Sequence, residues 1–257
     1  MTDQALKAQF DAVVQRLTTL QQHDRYEGCF VFGSYVTGEI HAQSDLDVVV
    51  LVADAASCPE VSHPRLQGIA VDISFNSFES IERYIHKTLS ANLRRKPWLY
   101  DSQILFDKQG RLHELADWVR QNAKPTLHTA DEDEELQLTC YYALTKAQKF
   151  VETEPEVALL VMQTDLNDLL RRHYKLQGRW WVSNKKLLRD LQCWDPIMHE
   201  HVRSFLTTAT IAEKFTAWSH MIDHLLVPIG GRNFAKYEGV CSCERCKSDV
   251  EYIMELQ

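Results

Sequence analysis

Asp45 and Asp47 stand two residues apart at the head of the run Val48-Val49-Val50-Leu51-Val52. In an extended strand, residues two apart share a face, so both carboxylates project together while Leu46 faces the other way. Like charges held that close repel unless a cation sits between them, and hard carboxylate oxygens suit Mg²⁺. Asp72 alternates onto the polar side of a further run, whose apolar side is Ile69, Val71, Ile73 and Phe75. It would complete a cluster of three carboxylates. Upstream, the apolar run Cys29 to Phe32 is stopped by Gly33-Ser34, with ten residues between Ser34 and Asp45. A glycine there lets the backbone approach an anion closely, and a helix start after it offers free N–H groups and the Ser34 hydroxyl. Paired divalent ions held by such carboxylates can activate an attacking oxygen and neutralise leaving pyrophosphate, which points to phosphoryl transfer. Asp-x-Asp alone is common as solvated charge, and Gly-Ser alone is common as a turn. What singles them out is their order within 40 residues: strand, Gly-Ser, helix, Asp-x-Asp strand, then a strand with an inward Asp.

These residues need elements to hold them. Leu6, Phe10, Val13, Val14, Leu17 and Leu20 recur with the 3.6-residue period of one buried helix face, predicting a helix over about 3–22. Strands are predicted at 29–32, 45–52, 69–75 and 103–106, and helices at 79–93 and 112–121. From Pro125 to about Leu226 the pattern is helical throughout, with helices expected at 133–152, 156–176, 184–191 and 198–226. The expected fold class is therefore α+β: a mixed-sheet domain over 1–124, an all-α helical bundle over 125–229, and an irregular cysteine-containing tail over 230–257.

Length and composition agree with two modest cores: 257 residues, 45 % hydrophobic and 25 % charged. No apolar run approaches the roughly 20 residues of a membrane-spanning helix, and the opening residues hold no apolar core of a signal peptide. The chain is expected to be cytoplasmic, with no membrane partner. A net charge of -8 repels a polyphosphate backbone. Arg94-Arg95-Lys96 is the one compact basic run, so no nucleic-acid partner is expected. Seven cysteines imply reduced thiols.

Several other groups are chemically able. The acidic run Asp131 to Glu135 opens a helix, where negative charge is favoured by the helix dipole; Glu135 is the candidate general base within it. Lys146 and Lys149 share a helix face, and Lys149 is the candidate for reaching a triphosphate; Lys185 and Lys186 are the rival pair. Asp165 and Asp168 would meet substrate amines or pair with Arg171 or Arg172 one turn on. Trp180-Trp181 read as core rather than as a stacking platform. Of eleven histidines only His220 and His224 stand four apart on a helix, a spacing common on surfaces. Cys241, Cys243 and Cys246 resemble part of a structural zinc site, with Cys29, Cys58 or His224 as a possible fourth ligand.

Gly33-Ser34, Asp45-Leu46-Asp47 and Asp72 together resemble the signature of the nucleotidyltransferase superfamily typified by DNA polymerase β. Among its members, the short entry helix and the following helical domain resemble the aminoglycoside and lincosamide nucleotidyltransferases. Over about 130–192, the stretches Tyr142 to Lys149, Leu166 to Leu170 and Gly178 to Lys185 resemble the helical bundle those enzymes share with HEPN domains. The resemblance implies that Asp45, Asp47 and Asp72 bind Mg²⁺ with ATP or another NTP and that Ser34 contacts the triphosphate. It further implies transfer of AMP or another NMP to a hydroxyl of a small, cationic acceptor, with release of pyrophosphate. The alternative it allows is a regulatory module that binds or nucleotidylates a protein partner. Acceptor, nucleotide preference and oligomeric state are left open.

Overall fold

The computed structural model describes residues 3–53, 58–90, 95–237 and 244–255. The chain divides into two compact units, 1–126 and 127–257.

The first unit is built on a mixed sheet. Helix α1 (Asp3–Thr18) is followed by β1 (Tyr26–Phe32), the single-turn helix α2 (Ser34–Thr37), β2 (Asp45–Val52), β3 (Cys58–Ser62), β4 (Arg65–Leu66), β5 (Ile69–Asn76), α3 (Phe78–Ser90), β6 (Gln103–Asp107) and α4 (Arg111–Asn122). Strand order is β3-β5-β2-β1-β6, with β4 also paired to β5. Pairing is antiparallel except between β2 and β5, which run parallel. The 3.6-residue apolar stripe of α1 packs Phe10, Val13 and Leu17 on one sheet face, against Cys29, Val31, Leu46, Val48, Val50 and Val71. On the other face Gly28 has no room for a side chain, because a Cβ there would lie 2.6 Å from Leu112 Cδ1 of α4. With both faces covered, the centre of β2 reads as a continuous apolar run rather than an alternation. Leu46 is fully buried, so Leu46→Ala is expected to lower stability by about 2–5 kcal/mol, checked as a shift in the denaturant midpoint at unchanged slope.

The second unit is helical: α5 (Asp133–Phe150), α6 (Pro155–Leu176), α7 (Asn184–Trp194), α8 (Pro196–Thr207), α9 (Ile211–Leu226) and α10 (Glu244–Glu255). Its core gathers Leu136, Met162, Tyr174, Leu191, Phe205 and Trp218. The apolar period predicts one long helix over 198–226, and the structure has two. Thr208 turns extended, and Thr210 starts α9 with a capping box in which its hydroxyl accepts from the Glu213 N–H and the Glu213 carboxylate accepts from the Thr210 N–H. The segment expected to be an irregular tail carries α10. Two short strands, β3 and β4, escape the sequence pattern; they are too brief and, with Pro59 in β3, too weakly patterned to show as alternation. Among the described residues no helix is long and apolar enough to cross a membrane.

Candidate active site

Where the Asp-x-Asp strand meets its parallel neighbour, Asp47 is the direct register partner of Asp72, and Asp45 that of Ala70. Register partners in a parallel pair share a face, so Asp72 projects on the same side as Asp45 and Asp47. Leu46 and Val71 point the opposite way and are fully buried under α1. All three aspartates are half-buried. Strand period alone joins Asp45 to Asp47; register brings in Asp72 from 25 residues downstream.

Gly33 is shaped by its neighbour across the sheet. Phe32 pairs with Asp47, which puts the next residue alongside that carboxylate. Gly33 has φ 75° and ψ -147°, a conformation nearly exclusive to glycine. A Cβ built there would overlap Asp47 Oδ2 and stand 3.0 Å from its Cγ. The missing side chain is therefore the space the Asp47 carboxylate uses. Ser34 opens α2, whose turn is closed by the Thr37 N–H donating to Gly33 O at 3.1 Å and the Glu39 N–H donating to Ser34 O at 2.9 Å. The turn is anchored to α1: the Tyr35 hydroxyl donates to Asp11 Oδ1 at 2.8 Å, and its ring stacks on Phe10. Burial and the Asp11 carboxylate push the Tyr35 hydroxyl up to about 12, while the hydrogen bonds from Lys7 and Tyr35 hold Asp11 below the usual carboxylate range. The phenol thus stays protonated as the donor.

Sequence reasoning missed His63, which lies between β3 and β4. Its Nδ1 is 2.6 Å from Asp72 Oδ1, and a protonated Nδ1 donates to that oxygen. No signal in the sequence marks it, since the β3–β4 excursion that carries it back over β5 is itself invisible there.

The donor set fits a hard divalent cation. It is all oxygen, comes from three carboxylates on one sheet face, and is not walled off from solvent. Metal-ligating carboxylates are commonly hydrogen-bonded in turn, as Asp72 is by His63.

The remaining residues singled out by their chemistry fall mainly in the second unit. Glu135 Oε1 accepts from Arg172 Nη2 at 3.0 Å, and Arg172 Nε donates to Asp168 at 2.8 Å. The two acids are thus the partners of one guanidinium joining α5 and α6. The rest of the acidic run includes further pairs: Asp133 with His128 at 2.7 Å, and Glu132 with Lys175. The Lys175 hydrogen bond, outweighing burial, draws the Glu132 carboxyl down to about 2. Lys149 is exposed, with its ammonium 5.6 Å from the Phe150 ring centre, and Lys146 lies over Tyr142. Burial raises the Asp165 carboxyl, opposed by Lys146. Trp181 is 4 % exposed and meets Tyr174 edge to face, as a core residue does. Cys241 and Cys243 lie outside the described residues, as does Arg94 of the basic run. Cys246 is half-buried in α10. Cys29, considered as a fourth zinc ligand, is instead buried in the sheet core, where desolvation pushes its thiol up to about 12.

Comparison with known proteins gives a family for the sheet unit. Residues 16–87 match the family described as Polymerase beta, Nucleotidyltransferase, a span that contains Gly33, Ser34 and all three aspartates. No curated protein matches the chain. Among solved structures, the crystal structure of a nucleotidyltransferase-like protein from Exiguobacterium sibiricum is similar, at 16 % identity and a TM-score of 0.42, covering 87 % of this chain and 75 % of that one.

Proposed function

We propose that this chain, whose residues 16–87 form a domain of the polymerase β nucleotidyltransferase superfamily, transfers the nucleoside monophosphate of an NTP to a hydroxyl of a small cationic molecule. The observation that carries this is the pairing of Asp47 with Asp72 on the face that also bears Asp45, with Gly33 leaving Asp47 its space. Asp45, Asp47 and Asp72 would hold Mg²⁺. Bound there, the ion supplies charge neutralisation to the attacking oxygen and to the leaving pyrophosphate. The chain's own part is positioning. Gly33 leaves the Asp47 carboxylate its space, the Ser34 hydroxyl and the N–H groups of the turn bind the phosphate oxygens, and β2 and β5 hold the carboxylates rigid, so that little ordering remains at the moment of reaction. Glu135 and Lys149 are proposed, from sequence, as the acceptor's base and a triphosphate contact; for Glu135 the Arg172 ion pair competes with that role. ATP is the proposed donor, and aminoglycoside or lincosamide antibiotics, which carry both amines and hydroxyls, are the proposed acceptors; the net charge of -8 favours cations.

The test is pyrophosphate release with Mg²⁺, each of the four NTPs in turn and a panel of such antibiotics. Release that requires one NTP and one acceptor supports the proposal. No release with any acceptor in the panel, from a protein that still binds NTP, would shift the assignment to a protein-directed module.

His63 supplies a graded check. Because it orients Asp72 rather than meeting substrate, His63→Ala is expected to lower Mg²⁺ affinity, and with it turnover at limiting Mg²⁺, by about 10–100-fold, read as a rightward shift of the Mg²⁺ titration. A turnover loss without that shift would remove His63 from the site.

A further inference from the structure

Three side chains from separate segments of the second unit converge on one point. His173 comes from the last turn of α6, Asp195 from the junction of α7 and α8, and His224 from the last turn of α9. His173 Nε2 is 2.7 Å from Asp195 Oδ2, and His224 Nε2 is 2.9 Å from the same oxygen and 3.0 Å from Oδ1. The three ligand atoms lie within 4.8 Å of one another. His173 is 1 % exposed and Asp195 9 %, while His224 is half-buried and leaves an approach from solvent.

We propose that His173, Asp195 and His224 form a binding site for a divalent transition-metal ion, of which Zn²⁺ is the natural probe. Two imidazole nitrogens and one carboxylate oxygen select such an ion over Mg²⁺ or Ca²⁺, which prefer all-oxygen sets. Zinc–ligand bonds of about 2.0–2.2 Å put tetrahedral ligand atoms roughly 3.3–3.5 Å apart. The observed separations of 2.7 and 2.9 Å need open by only about half an ångström, within reach of side-chain rotation. Both rings present the same nitrogen to the same oxygen, which is the disposition of ligands around a shared centre. Asp195 is fixed in position, because its Oδ1 also accepts the Met198 N–H at 2.9 Å as the cap of α8. His201 lies next to the His224 ring, with centroids 6.3 Å apart, and either it or water would take the fourth position.

The ring of His173 stacks on Trp194 at 5.3 Å, and its Nδ1 is buried without a hydrogen-bond partner. A metal-ligating histidine normally donates that N–H to an acceptor, and its absence lowers affinity by about 10–100-fold relative to a fully supported site. The expectation is accordingly a site of moderate affinity that joins α6, α8 and α9, and metal raises the unfolding temperature in a concentration-dependent way.

The test uses the full chain with Cys241, Cys243 and Cys246 all replaced by Ser, so that thiolates of that cluster contribute nothing, and with excess Mg²⁺ to occupy the carboxylates of the sheet unit. Equilibrium dialysis against Zn²⁺ is expected to give one equivalent per chain, and thermal unfolding to shift upward with Zn²⁺. His224→Ala should lower Zn²⁺ affinity at least tenfold and remove the thermal shift. Asp195→Asn keeps a good helix cap while removing the ligand charge, so it is expected to fold and to lose Zn²⁺ likewise. Less than half an equivalent bound in the background lacking those three thiols, or binding unchanged in both variants, would overturn the site.

Discussion

Asp47→Asn is expected to reduce pyrophosphate release by about a thousandfold or more while leaving the protein folded. The basis is the position of Asp47 between its neighbours: it shares a strand face with Asp45 and is the register partner of Asp72. It is also the carboxylate that lies against the glycine turn, across from Phe32. A divalent ion at the reacting phosphate is worth several kcal/mol of transition-state stabilisation, a neutral amide holds that ion less well than a carboxylate, and each 1.36 kcal/mol is about a factor of ten in rate. Asn matches Asp in shape, so the packing of Leu46 and Val48 against α1 on the opposite face is untouched. Relief of repulsion among three like charges works against any destabilisation. The measurement is release under saturating Mg²⁺ and NTP, paired with a thermal melt. Release within tenfold of the parent, from a protein of unchanged melting temperature, would remove Asp47 from the metal site.

Gly33→Ala is the companion experiment, and it separates geometry from charge. The added Cβ meets Asp47 Oδ2, the end of a side chain that can rotate, so the sheet survives by turning the carboxylate away. Backbone strain at φ 75° and ψ -147° adds to this, a cost of about 1–3 kcal/mol for a side chain in that region. The expected result is a protein that melts earlier but cooperatively, with release lowered about 100-fold or more although every carboxylate is still present. Release close to that of the parent would mean that Asp47 does not need the orientation that Gly33 leaves room for. The two variants together also locate the loss. Asp47→Asn removes a charge without strain, and Gly33→Ala adds strain without removing a charge.

The main elements are legible in the sequence because their signals are local. The stripe Phe10, Val13, Leu17 fixes one helix face by a period any window of the chain displays. Asp45 and Asp47 share a face by the twofold period of a strand, whatever that strand packs against. Elements whose signal is short or broken escape notice. Strands β3 and β4 cover five and two residues, and His63 goes with them. The break between α8 and α9 is readable in principle, since Thr210 and Glu213 have the spacing of a capping box, but the apolar period running across it hides the signal.

The amino-acid order alone determined the α+β class, the Gly-Ser turn before an Asp-x-Asp strand, and the inward side of Asp72, since each rests on spacings of a few residues. Tertiary structure decided which strand lies beside which and in what register, and so that Asp72 stands against Asp47 rather than a residue further along. It alone also joined Asp195 to His173 and His224, 22 and 29 residues away along the chain. The physical reason is range: backbone geometry imposes its periods on neighbours, whereas pairing between distant segments is chosen by the burial of whole faces, which no short window of residues expresses.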